Sequence, residues 1–227
     1  MVTGRRSFHE QLGDAELLIV EMAGIVLQQI DRTTRVLESR DEAVLDEIID
    51  GDDAVDEHYL EIEQRILTLL ATQAPVASDL RLVSGMLHIN IHLERVADLC
   101  VNIAKFVKLA LDLPRSPAIV QELVEMGRQA SKMVETSIQA FSKRDLDMAL
   151  GLPRMDDRID RLNRDLLKEV AGWAGDERAI EWGSRMILAS RMLERMGDHA
   201  VDIGEQIAFM ITGEFREFTD ASSKAIG

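Results

Sequence analysis

A hexapeptide written twice constrains this chain most: Leu93-Glu94-Arg95-Val96-Ala97-Asp98 returns one hundred residues later as Leu193-Glu194-Arg195-Met196-Gly197-Asp198. The register persists beyond the motif, with Val101 and Ile103 answered by Val201 and Ile203. Upstream in each half lies a second acidic signature, Asp53-Ala54-Val55-Asp56 and Asp157-Arg158-Ile159-Asp160. Two motifs recurring in the same order mark a duplicated unit of about a hundred residues. Acidic positions, as well as apolar ones, keep step between the copies.

Apolar residues recur at three- and four-residue spacing along almost the whole chain, interrupted at a few punctuation points. Aromatics make up only 4% of it, and a core of Leu, Ile, Val, Ala and Met suits helices. The breaks predict helices over about 8–39, 41–73 with an interruption near Gly51 and Asp52, and 76–112 ending at Pro114 and Pro117. The second half repeats the plan over 117–143, 145–174 with an interruption near Gly151 and Pro153, and 176–212 closed by Gly213. The expected fold is all-α, two tandem antiparallel three-helix bundles over 1–114 and 115–218, with a flexible tail over 219–227.

On a helix turning about 100° per residue, Glu94 and Asp98 share a face at the edge of the apolar stripe. Glu194, Asp198 and Asp202 do the same in the second copy, and Glu205 returns to that edge. Like charges at i and i+4 cost a helix about 0.2–0.5 kcal/mol unless something neutralises them. A cation held by these acids and by Asp53, Asp56, Asp157 and Asp160 from a neighbouring helix would do so, and oxygen ligands suit hard ions. The competing explanation is a solvated face in which Arg95, Arg191 and Arg195 pair with acids three residues on. Matched register in both copies weighs against it.

Other residues say less. His88 and His92 are spaced i, i+4 but project about 120–160° away from Glu94, and His199 also points off the acidic edge, so these histidines are expected to be structural. Trp173 and Trp182 are expected to pack in a core or an interface. A carboxylate metal-storage or oxidase bundle would need Glu-x-x-His on two helices; none of the five histidines has a Glu three residues before it. A net charge of −15 opposes nucleic-acid binding and direct contact with anionic lipid. The single Cys100 suits a reducing compartment. With no secretory pattern and no apolar run of about 18 residues, the expected location is the cytoplasm.

The runs Gln73-Ala74-Pro75-Val76-Ala77-Ser78-Asp79-Leu80-Arg81, Leu93-Glu94-Arg95 with Asp98 and Asn102-Ile103-Ala104, and Leu193-Glu194-Arg195-Met196-Gly197-Asp198 resemble the PhoU family of phosphate-signalling regulators. The likeness extends to the duplication, the helix order and a closing Gly213-Glu214-Phe215. It implies two three-helix repeats, a homodimer, and multinuclear clusters of metal ions (iron, zinc, manganese or magnesium) held by Glu/Asp-x-x-x-Asp motifs. Those motifs fall on Glu94 with Asp98 and on Glu194 with Asp198, with Asp53, Asp56, Asp157 and Asp160 as companions. It further implies a non-enzymatic negative regulator of phosphate uptake that joins the phosphate ABC transporter ATPase to a sensor histidine kinase, meeting the membrane only through partners. The alternative is a metal-free structural interaction protein. The first copy carries Ala97 where the second has Gly197, and Asn102 where the second has Asp202, which makes the second site the stronger candidate.

Overall fold

The computed structural model describes residues 2–51, 53–173 and 175–218, with backbone alone for residues 2–7. Among them the chain forms helices α1 (Val2–Ser39), α2 (Glu42–Asp50), α3 (Asp53–Gln73), α4 (Ser78–Lys108), α5 (Pro117–Lys143), α6 (Leu146–Ala171) and α7 (Glu177–Thr212). Asp52 and the expected tail over 219–227 lie outside the described residues.

The helix starts have local causes. Asp41, Asp145 and Asp176 each turn a side-chain oxygen onto orphan amides of the first turn, at Ala43 and Val44, at Met148 and at Ala179. Ser116 does the same for Ile119, with Pro117 opening the helix. Gly213 closes α7 at φ 77°, a left-handed conformation that costs glycine little.

Two expectations need correction. The interruption expected near Gly151 and Pro153 is absent, and α6 runs through both. Proline removes one helical donor, and the buried Leu152 and Ile159 around it hold the helix straight on through tertiary packing. The helix expected to reach 112 stops at Lys108. The turn that follows it packs on Arg40, whose guanidinium donates to the backbone oxygens of Ala110 and Leu111 and, at 3.5 Å, of Leu113. The interruption before α3 is present, so α2 and α3 together take the place that α6 alone fills in the second half.

The repeated helices α4 and α7 form the central seam. Gly85 lies against Met210 and His92 against His199, so the two helices run antiparallel. At one end Arg81 covers Gly213; at the other Arg178 donates to the Asp112 carbonyl at 2.6 Å. Each helix thus begins beside the other's end, and the copies face each other about an approximate twofold axis. The remaining helices surround this seam, α1 against α3, α4 and α5, and α6 against α5 and α7. A single core runs through both halves and includes Ile19, Ile62, Ile89, Cys100, Leu193 and Ile203. Trp173 and Trp182 stack on each other with ring centroids 6.2 Å apart, closing the far end of α6 on α7. No helix among the described residues is long and apolar enough to cross a membrane.

Candidate functional site

In the second copy, α6 and α7 enclose an acidic groove of about 210 Å³ lined by Asp156, Asp198, Asp202 and Glu205, with Pro153, Val201 and Phe218. Partial desolvation, then the like charges of Glu194, Asp160 and Asp202, push the Asp198 carboxyl up to about 6, with His199 opposing. Because Asp198 keeps an exposed rim, crowding is the cause that a cation would relieve. Glu194 is held from the other side. Asn163 donates to its Oε2 at 2.9 Å, Ser190 in turn donates to Asn163 at 2.8 Å, and Arg191 bridges Glu194 at 2.6 Å. At the groove's lower end, burial pushes the Glu205 carboxyl upward, and the Phe218 amide donates to it at 2.6 Å.

The acid that α6 buries here is Asp156, at 6% exposure. Its carboxylate lies against Gly197, where a Cβ would come within 2.3 Å of Oδ1. Sequence reasoning placed Asp157 in this role; the structure leaves Asp157 half-buried and outside the groove lining. The missed signal was the spacing: Asp156 and Asp160 stand at i, i+4, as Glu194 and Asp198 do. The residue equivalent to Asp156 in the first copy is Asp52.

In the first copy one arginine serves both acids of the repeated motif. Arg95 reaches Asp98 at 3.2 Å and Glu94 at 3.5 Å, whereas among the described residues no ion pair joins Arg195 to Asp198. Asp53 and Asp56 are exposed in the first turn of α3. Glu94 lies close enough to Tyr59 to help burial and Glu63 raise the phenol's pKa. Asn90 ties the two helices by donating to the Tyr59 carbonyl at 3.0 Å.

Across the seam, His92 and His199 meet with their Nδ1 atoms 3.1 Å apart, and each lies 3.6 Å from Asp202 Oδ2. Burial lowers the His92 pKa to about 4, against the pull of Asp202 and with help from His199 and His88. The imidazole is neutral at pH 7. Sequence reasoning treated these histidines as separate structural residues and missed the pair.

A family model described as PhoU domain matches this chain twice, over residues 19–107 and 123–207. The chain belongs to the PhoU family. One PhoU match contains the first copy of the repeated hexapeptide and the other contains the second. The chain is 30% identical to the phosphate-specific transport system accessory protein PhoU homolog of Pseudomonas aeruginosa, over 92% of this chain and 86% of that one. Identity is also 30% to the homolog of the same name from Clostridium acetobutylicum, over 95% of this chain and 99% of that one. The fold is similar to the crystal structure of PhoU from Pseudomonas aeruginosa, with TM-score 0.86 and 30% identity over 91% of this chain and all of that one. It is likewise similar to the phosphate transport system regulatory protein PhoU from Streptococcus pneumoniae, with TM-score 0.83 and 28% identity over 92% and 99% of the two chains.

Proposed function

We propose that this chain is a cytoplasmic accessory and negative regulator of phosphate uptake, holding the phosphate-starvation response off when phosphate suffices. The observation that carries this reading is likeness across both repeats to relatives named as phosphate-specific transport accessory proteins. As a regulator it binds the transporter's ATPase and a sensor histidine kinase, and it works as a homodimer without catalysis of its own. The test is a deletion strain grown in phosphate-rich medium. Constitutive expression of the uptake genes, restored to repression by this chain, supports the reading; normal repression in the deletion strain sinks it. Immobilised ATPase and kinase, probed separately with purified chain, test the two partners.

The acidic groove fits a metal centre, because it gathers acids that repel and cradles Asp156 against a missing side chain. In the second copy Asp156 and Asp198 from the groove lining, joined by Glu194 and Asp160 beside Asp198, would hold the ion, with Asp202 at the margin. In the first copy Glu94 and Asp98 would be joined by acids at the start of α3, among them Asp53 and Asp56. Oxygen ligands favour iron, manganese or magnesium over softer ions, with zinc also within reach. The metal's part is to neutralise the crowded carboxylates and stiffen the groove. Elemental analysis of untagged protein tests this: metal held by wild type and lost from Glu194→Ala/Asp198→Ala supports it, and equal content in both refutes it.

A further inference from the structure

We propose that His92, His199 and Asp202 form a separate metal site that takes a divalent transition ion of the zinc class across the α4–α7 seam. Three donor atoms from both repeats converge: His92 Nδ1, His199 Nδ1 and Asp202 Oδ2 stand 3.1, 3.6 and 3.6 Å apart. Ligands about 2.0–2.1 Å from a tetrahedral zinc ion are separated by roughly 3.4 Å. The three atoms therefore already outline one face of such a tetrahedron. The imidazoles are largely buried, with side-chain exposures of 18% and 16%, while Asp202 is 44% exposed. A water molecule can reach the fourth position from that side.

The donor set differs in kind from the acidic groove. Two imidazoles and one carboxylate suit zinc, cobalt or iron(II), whereas oxygen-only sets suit harder ions. The fold itself does not require histidine here. The twofold axis relates His92 to Met192 and His199 to Leu99, and both of those pack with the hydrophobic core. One side of the seam thus closes with apolar side chains where the other carries three convergent ligands.

Metal-free protein in excess magnesium, titrated with cobalt(II) and followed by visible absorption, tests the site. Wild type is expected to show one equivalent of low-coordinate cobalt per chain, displaced by zinc. His92→Met/His199→Leu, which copies the residues of the opposite repeat, is expected to lose that signal, and Asp202→Asn to weaken binding by about tenfold or more. Glu194→Ala/Asp198→Ala is expected to keep it. A signal that survives in the histidine variant, or that vanishes from the folded Glu194→Ala/Asp198→Ala protein, overturns the proposal. Far-UV circular dichroism checks folding, and if the histidine variant does not fold, unchanged binding by Asp202→Asn overturns the proposal instead.

Discussion

Gly197 on α7 is fitted to Asp156 on α6: a Cβ at position 197 would stand 2.3 Å from the Asp156 carboxylate oxygen. The glycine thus keeps open the space that a buried acid needs. Ala97, its counterpart in the first copy, is fully buried.

Gly197→Ala is expected to separate stability from metal retention. Alanine gains about 1 kcal/mol over glycine inside a helix, and the displaced carboxylate gives back a similar amount. The melting temperature should therefore move by only a few degrees while metal held by the second copy falls. Thermal melts paired with elemental analysis check this, and full metal content in the variant would refute the cradle.

Asp198 sets a pH dependence in the metal-free protein. Its folded pKa is raised from 3.8 to about 6, so the native state binds the proton more tightly than the unfolded chain, and stability falls as pH rises through that window. Asp198→Asn removes the penalty. After allowance for solvent access, the variant should exceed wild type by about 1 kcal/mol at pH 7.5 and match it near pH 3.5. Urea denaturation at the two values measures it.

His92 acts in the opposite direction. Its folded pKa is lowered from 6.5 to about 4, so the unfolded chain binds the extra proton and stability is lost as pH falls from 6.5 toward 4. Met192 marks methionine as a residue that this packing accepts. His92→Met should gain on wild type by about 2 kcal/mol between pH 7 and pH 4. A gap that does not change with pH would contradict the buried neutral imidazole.

The shared core predicts one unfolding transition for both repeats. Ile89, fully buried in the seam, should cost about 2–4 kcal/mol on truncation to alanine. Tryptophan fluorescence reports only the second half, through Trp173 and Trp182, whereas circular dichroism reports every helix. Coincident midpoints by both probes, shifted together in Ile89→Ala, are expected; separate midpoints would mean that the repeats unfold independently.

What the sequence revealed was local. The duplication, the helices and the shared face of Glu194 and Asp198 depend on spacing along one helix, and capping residues such as Asp176 announce themselves. What it hid depends on how helices meet. Choosing Asp156 over Asp157 requires knowing how α6 is rotated against α7, since neighbours on a helix point about 100° apart. The turn that follows α4 is held by Arg40, 70 residues before Ala110. His92 and His199, 107 residues apart, occupy unlike positions in the two copies, so comparing repeats could not bring them together.

A body that superimposes on itself when turned over gives a visitor no way to know which side it has reached. The α4–α7 axis nearly makes this chain such a body. Turning it over exchanges Asp98 with Asp198, but it sets Met192 and Leu99 where His92 and His199 had been. Two sides of like outline therefore differ in chemistry beneath the surface, and the near-symmetry of the backbone is broken by side chains that pack inside the seam.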